Sequence, residues 1–318
     1  MQPPRTLRTF VGAVLVAALV VGCGSISTPT PPGASSSPPT SYEGWPPSQR
    51  FELIPIPVSS ELTVGPNRML VNLIDGANEP LAAPDLAVRL RFYDLATDPG
   101  TPKSQADAVY TPIVEGRPGL YRANVTFEHA GDWGLEAIAT EPGGDQRTGR
   151  MVFSVRESGT TPLIGAQAPA SDTPTGSTAA EVAGISTDDD PDADFYRQSV
   201  ADALAANQPF VLIFATPAFC RTATCAPALD VVKSVAAFHK DRVAFIHVEP
   251  YELHEIDGAL QPVLSEQNLP IAVEAANEWG LPTEPYIFIV DGAGTVKAKF
   301  EGVAGAEELE AALAELAE

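Results

Sequence analysis

"FATPAFCRTATCAPALD", residues 214–230, decides the interpretation of the second half of this chain. It begins inside the apolar run "PFVLIFAT", residues 209–216, which is typical of a strand buried on both faces of a sheet. A helical pattern follows from about Ala223 to Lys240. Cys220 and Cys225 therefore lie where a buried strand passes into a helix. Their spacing alone leaves three interpretations open: a redox pair, a metal site or a structural disulfide.

The amino terminus indicates where the protein works. Arg5 and Arg8 precede the eleven-residue apolar run 11–21, which is too short to span a bilayer because a spanning helix needs roughly 20 apolar residues. The run ends in Val-Val-Gly-Cys at Cys23, which resembles the lipobox of bacterial lipoproteins. That resemblance implies a signal peptide over residues 1–22 and lipidation of Cys23.

Lipidation would tether the mature chain to the extracytoplasmic face of the cell membrane, without a transmembrane helix. Disulfides form and persist in that compartment. Of the three cysteines in the chain, Cys23 would carry lipid, which leaves Cys220 and Cys225 as an even pair.

Composition divides the rest of the chain. Residues 23–49 and 157–190 are rich in Pro, Ser, Thr and small residues, and are predicted to be a stalk and a linker. The segments between and after them, residues 50–156 and 191–318, are predicted to be two domains.

Charge argues against one class of partner. Residues 50–156 carry ten Lys and Arg against fourteen Asp and Glu, a net −4, whereas residues 191–318 carry seven against twenty, a net −13. The acidity therefore belongs mostly to the second segment. Because such a surface repels phosphate, we expect no nucleic-acid partner.

The segment 50–156 consists of short alternating runs separated by turn signals, a pattern typical of an antiparallel sandwich or barrel. Around Tyr121 it resembles the tyrosine corner of immunoglobulin-like sandwiches, and Trp133 is predicted to be a core aromatic. Some similar extracytoplasmic sandwiches bind copper through clustered His and Met. This segment offers only His129, Met69 and Met151, so we expect a spacer or protein-binding module.

The last segment is predicted to follow the order β-α-β-α-β-β-α, with a hairpin turn at residues 291–294. It resembles the thioredoxin fold in three details. Phe219 precedes the first cysteine, "APALD" at residues 226–230 is similar to the family's active-site helix, and Pro285 follows Gly280 at the spacing of the family's cis-proline. The predicted fold class is thus an all-β immunoglobulin-like sandwich followed by an α/β thioredoxin-like fold.

The resemblance implies roles for the site residues. Cys220 would be the nucleophile, Cys225 the resolving cysteine and its disulfide partner, and Pro285 the active-site cis-proline. Physical chemistry supports the first assignment, since a sulfur at a helix amino terminus has a lowered pKa. We expect no metal and no cofactor.

Two departures from the family stand out. Four residues separate the cysteines where redox thioredoxins have two, and residues five apart in a regular helix have Cα atoms about 8 Å apart, too far for a disulfide. Closing the pair therefore requires a helix that starts near Thr222, which could cap it. Glu284, just before Pro285, adds a carboxylate that would disfavour a thiolate.

The first hypothesis is membrane-anchored thiol-disulfide exchange on envelope proteins that carry thiols or disulfides. The alternatives are a redox-quiet binding module with a structural disulfide, and a copper-handling assembly factor with His247 or His254 as an extra ligand. His247 lies inside a predicted buried strand, where a core histidine is the common case.

Overall fold

The first seven strands pair into a single antiparallel sheet. In this computed structural model, residues 42–45, 52–114 and 116–317 are described. The strands are β1 (Leu53–Pro57), β2 (Gly65–Asp75), β3 (Ala87–Asp94), β4 (Ser104–Thr111), β5 (Leu120–Phe127), β6 (Gly131–Thr140) and β7 (Gln146–Val155). Their order across the sheet is β1-β2-β5-β4-β3-β6-β7. Because β1 and β7, at the two ends of this order, contact each other, the sheet is nearly closed.

The predicted fold class, an all-β immunoglobulin-like sandwich followed by an α/β thioredoxin-like fold, is wrong. The structure is mostly β, with 37% strand and 17% helix, and its first seven strands form one nearly closed antiparallel sheet. Alternating apolar residues do not distinguish the two arrangements, because both bury one face of every strand. Which strands pair is set by contacts between residues far apart in the chain.

The interior of this sheet is filled by side chains from alternate positions of its strands. In β5, Tyr121, Ala123, Val125 and Phe127 are buried, as the period of two predicts. Trp133 is also buried, which confirms it as a core aromatic. The sheet thus encloses its own hydrophobic core.

A second, four-stranded sheet carries the cysteine segment. Its strands are β8 (Phe210–Phe214), β9 (Ala244–Val248), β12 (Tyr286–Val290) and β13 (Val296–Glu301), and β10 (Leu253–Ile256) pairs with β11 (Ala259–Pro262) in a separate hairpin. The order is β13-β12-β8-β9, with β8 and β9 parallel and the other pairs antiparallel. The hairpin turn predicted at residues 291–294 joins β12 to β13, where Asp291 accepts hydrogen bonds from the backbone of Ala293 and Thr295.

Strand β8 lies at the centre of this sheet and is buried on both faces. Val211 and Ile213 pack into one hydrophobic cluster, whereas Phe210, Leu212 and Phe214 pack into another on the opposite face. The continuous apolar run predicted such a strand, and the structure confirms it.

Helices cover the four-stranded sheet. They are α1 (Ala179–Ala183), α2 (Val200–Ala205), α3 (Cys225–His239), α4 (Glu274–Glu278) and α5 (Ala306–Ala314), with single 3-10 turns at Ala193–Tyr196 and Glu315–Ala317. The 3-10 turn at Ala193–Tyr196 does not continue into α2, because Ser199 and Asp202 form a capping box that starts α2 separately.

Residues 157–190, predicted to be a linker, make specific contacts. Thr160 and Thr161 donate hydrogen bonds to Glu61, which precedes β2. Trp279 donates its indole N–H to Ser171 at 3.1 Å. The segment is therefore held along both sheets, although its Pro and Ser content is typical of linkers.

An arginine on the first sheet joins it to the second. Arg68 of β2 donates to both carboxylate oxygens of Glu308 on α5, at 2.9 and 3.0 Å, and to the carbonyls of Glu301 and Val303. The Nε of Arg122 lies 3.0 Å from Glu308 as well, in ion-pair contact outside hydrogen-bond geometry. Burial favours the neutral acid, but the arginines hold the pKa of Glu308 below its ordinary value.

The predicted signal peptide, Cys23 and most of the predicted stalk lie outside the described residues. Trp45, near the end of that stalk, is buried against Tyr93 of the first sheet. Among the described residues, no helix is long and apolar enough to cross a membrane.

We predict that Gly149→Ala destabilises the nearly closed sheet. A Cβ at Gly149 in β7 would lie 1.8 Å from the carbonyl oxygen of Leu53 in β1, so the two end strands would have to separate. Overpacking of this kind costs about 1–3 kcal/mol, which urea denaturation should show as a lower midpoint. Gly143→Ala is the control, since a Cβ there meets nothing within 4 Å. Equal midpoints for the two variants would contradict the close approach of β1 and β7.

Candidate functional site

The two cysteines meet at the start of α3. Strand β8 ends at Phe214, the chain then turns through residues 215–224, and α3 begins at Cys225. The backbone N–H of Cys225 donates to the sulfur of Cys220 at 3.2 Å. Both residues are free thiols in the structure, with Cys220 half-buried and Cys225 fully buried.

Threonine hydroxyls surround the Cys220 sulfur. The Oγ1 of Thr222 lies 3.3 Å from the sulfur and that of Thr224 lies 4.0 Å away, while the two hydroxyls are 2.6 Å apart. Thr224 is the N-cap residue of α3 but makes no side-chain capping bond. The Cys220 sulfur takes that place, since it accepts a backbone N–H that the helix leaves unpaired.

This arrangement makes the two sulfurs chemically different. A hydrogen bond from the Cys225 thiol lowers the pKa of Cys220 to about 4, against the effect of burial and with help from Thr222 and backbone N–H groups. The same hydrogen bond raises the pKa of Cys225, and burial raises it further. Cys220 is therefore the thiolate at neutral pH and Cys225 is the protonated partner.

The loop between the cysteines explains how four intervening residues are accommodated. The sequence predicts a helix from about Ala223, and a start near Thr222 is required only for a closed disulfide. In the structure, where both thiols are free, α3 begins at Cys225 and Thr224 is its N-cap residue. Ala223 adopts a left-handed conformation with φ of 59°, which a residue with a Cβ rarely does. This turn brings the Cys220 sulfur back over the helix start, so the wider spacing does not separate the pair.

Glu284 lies beside the thiols, on the segment that leads into β12. It accepts a hydrogen bond from the hydroxyl of Tyr251 at 2.7 Å, and the Glu284–Pro285 peptide bond is cis. Burial raises the pKa of Glu284, and the charge at Cys220 raises it further. The carboxyl group that the sequence placed near the thiolate is thus shifted towards its neutral form, which reduces the repulsion that we expected.

Neither of the two candidate histidine ligands forms a hydrogen bond with a cysteine among the described residues. His247 is buried in β9, with Nε2 2.9 Å from the carbonyl of Ala215 and Nδ1 2.7 Å from the hydroxyl of Tyr196. Since a carbonyl only accepts, Nε2 carries the proton, and burial lowers the pKa of His247 to about 4. His254 is exposed on β10. Among the described residues, no group of three or more His, Cys, Asp or Glu side chains could hold a metal ion.

Sequence reasoning missed a buried carboxyl group near the cysteines. Glu249, directly after β9, accepts hydrogen bonds from the backbone and hydroxyl of Thr187 at 2.7 and 2.5 Å. Burial raises its pKa. Within the described ranges neither its other oxygen nor the hydroxyl of Thr216 has a partner in hydrogen-bond geometry, although the Thr216 hydroxyl is close enough to limit the rise in the pKa of Glu249. A charged residue directly after a buried strand was the available signal, but nothing in the sequence pairs Glu249 with Thr187.

No protein-family model matches the chain, and no curated protein is significantly similar to it.

We predict that Cys220 is alkylated in its thiolate form well below pH 7. The rate with iodoacetamide should fall only as the pH approaches about 4, the pKa of Cys220, whereas an ordinary cysteine loses reactivity below about 8.5. Cys225→Ala removes the thiol that donates to Cys220, so its midpoint should move upwards. Peptide mass spectrometry identifies the modified residue at each pH. A midpoint near 8.5 for the unchanged protein would contradict the described geometry.

Proposed function

We propose that this protein is a membrane-anchored thiol-disulfide oxidoreductase that acts on envelope proteins through Cys220 and Cys225. One observation carries the proposal: a half-exposed sulfur with a lowered pKa lies at a helix start, against a buried thiol with a raised pKa. Thiol-disulfide exchange needs this asymmetry, because one sulfur attacks as a thiolate and the other stays protonated until it resolves the mixed disulfide.

The reaction proceeds in two steps. The Cys220 thiolate attacks one sulfur of a partner disulfide, the partner's S–S bond breaks, and its other sulfur leaves as a thiolate. Cys225 then loses its proton and attacks Cys220, which releases the second partner sulfur as a thiolate. The partner disulfide gains two electrons, and the Cys220–Cys225 pair becomes a disulfide. The reverse sequence oxidises a partner dithiol.

The hydrogen bonds at the site support different steps. Those from Cys225, Thr222 and the start of α3 stabilise the attacking thiolate of Cys220. In the reverse direction the low pKa also makes Cys220 a good leaving group, when the partner's second thiolate attacks the partner sulfur of the mixed disulfide and Cys220 departs as a thiolate. The hydrogen bond to the Cys220 thiolate, together with burial, keeps Cys225 protonated until Cys220 has given up its negative charge.

The two alternative functions have less support. A disulfide that only staples a binding module has no need of a half-exposed sulfur with a lowered pKa. A copper-handling site that includes His247 would have to give up two hydrogen bonds in a buried strand. We therefore keep exchange as the proposal.

The proposed location rests on the amino-terminal sequence. Cleavage after residue 22 and lipidation of Cys23 would anchor the chain to the outer face of the cell membrane. There the partners would be envelope proteins whose cysteines are exposed to an oxidising compartment.

We predict that Cys225→Ser traps the reaction half-way. The reduced variant should form a mixed disulfide through Cys220 with a disulfide-bonded peptide and then stop, because no resolving thiol remains. The unchanged full-length protein should instead release reduced peptide and become oxidised at Cys220–Cys225. Intact-mass spectrometry distinguishes the two products.

Cys220→Ser is the matched control, since it keeps the buried Cys225 but removes the attacking sulfur. It should form no adduct with the peptide. An adduct through Cys225 in this variant, or unchanged exchange, would overturn the assigned roles.

A further inference from the structure

A groove next to the Cys220 sulfur is walled by both sheets. On one side lie Val58, Leu70, Ile113 and Leu120 of the first sheet and its loops, and on the other lie Thr222 and Glu284. We call it the sheet–thiol groove. Its volume is about 350 Å³. Thr222 lines the groove, and its hydroxyl lies 3.3 Å from the Cys220 sulfur, so an occupant of the groove comes within one side chain of the reactive atom.

The first sheet reaches the thiol site directly. Ile113, in the loop after β4, packs against the same hydrophobic cluster as Cys220. Leu70 of β2 is 5% exposed, whereas Val58 is 40% exposed. The first-sheet side of the groove therefore has a buried part at Leu70 and an exposed apolar rim at Val58.

The walls are held in place by buried polar contacts. Both carboxylate oxygens of Glu301, at the end of β13, accept the backbone N–H of Ser60 at 2.8 Å. Arg68 on β2 binds Glu308 on α5 in the same interface. Since these groups would lose partners if the sheets separated, the groove exists before anything binds.

The chemistry of the groove restricts its occupant. Six apolar residues line it from the first sheet and its loops, namely Val58, Leu70, Ile113, Val114, Pro118 and Leu120. The acidic groups at its other side are Glu284 and Glu301. An apolar segment would bury surface against the first wall. An acidic segment would have to desolvate its carboxylates against those apolar side chains, beside Glu284 and Glu301, whose pKa values burial raises. Arg117 lies at the exposed edge of the groove.

We propose that the sheet–thiol groove binds an extended segment of a partner protein whose disulfide-bonded cysteine is flanked by apolar rather than acidic residues. The inference rests on the proposed function, because Cys220 must react with that disulfide. In this arrangement the first sheet selects the substrate, and the pair at α3 carries out the exchange. A small disulfide needs only Cys220 and so gains nothing from the first sheet.

The test compares three disulfides on the reduced full-length protein. They are glutathione disulfide, a peptide disulfide with leucine on both sides of each cysteine, and the same peptide with glutamate in place of leucine. We expect the leucine peptide to react faster than the glutamate peptide. Val58→Asp places a charge on the apolar rim and should slow the leucine peptide about tenfold, with glutathione disulfide changed less than about twofold.

Val109→Asp is the matched control, since Val109 is also an exposed valine. It lies on β4, is 52% exposed and is outside the groove. It should leave all three rates unchanged. Ile113→Ala is a second groove variant that adds no charge and should also slow the leucine peptide selectively. Circular dichroism confirms that each variant is folded.

Several outcomes would contradict the proposal that the sheet–thiol groove selects the substrate. Equal rates for the two peptides, or equal slowing of peptide and glutathione disulfide by Val58→Asp, would show that the first sheet does not select substrate. Self-association of the unchanged protein that Val58→Asp abolishes, with peptide rates unaltered, would assign the groove to a second copy. If the unchanged protein reacts with none of the disulfides, the proposed function itself fails, a result distinct from reaction without selectivity.

Discussion

The contact between Arg68 and Glu308 is the constraint on which the arrangement of the two sheets depends. Both side chains are largely withdrawn from water, with 10% and 14% of their surfaces exposed, so each needs the other's charge. Arg68 also binds two carbonyls beside β13. This one residue therefore fixes β2 against the end of the second sheet. The groove beside the thiols exists because that distance is fixed.

The thiol site depends on a smaller contact, the hydrogen bond from the N–H of Cys225 to the sulfur of Cys220. The sulfur replaces the usual side-chain cap of α3, so the start of the helix and the charge on the thiolate stabilise each other. This contact requires Ala223 to adopt an unfavourable left-handed backbone conformation. This left-handed residue lies in the short loop that carries the Cys220 sulfur to the start of α3.

The sequence allowed some of this to be predicted and not the rest. The apolar run that forms β8, the turn at residues 291–294 and the buried Trp133 each follow from local pattern, because burial on one or two faces leaves a periodic signature. The closed arrangement of β1 and β7 does not, since it depends on a close approach of Gly149 to Leu53. The position of the two cysteines directly after the strand that forms β8 was enough to identify them as a candidate site. The carboxyl group of Glu249 depends on Thr187, which is distant in the chain. The capping of α3 by the Cys220 sulfur depends on the left-handed turn at Ala223, which has no sequence signal because alanine rarely adopts that conformation.

The reduction potential of the Cys220–Cys225 pair tests the central claim most directly. The full-length protein in detergent is equilibrated with glutathione buffers, and the oxidised fraction of the peptide that contains both cysteines is measured by mass after alkylation. A stabilised Cys220 thiolate favours the reduced form, so we expect a potential within about −270 to −120 mV, the range of exchange proteins. A potential below about −300 mV, where structural disulfides lie, would contradict the account.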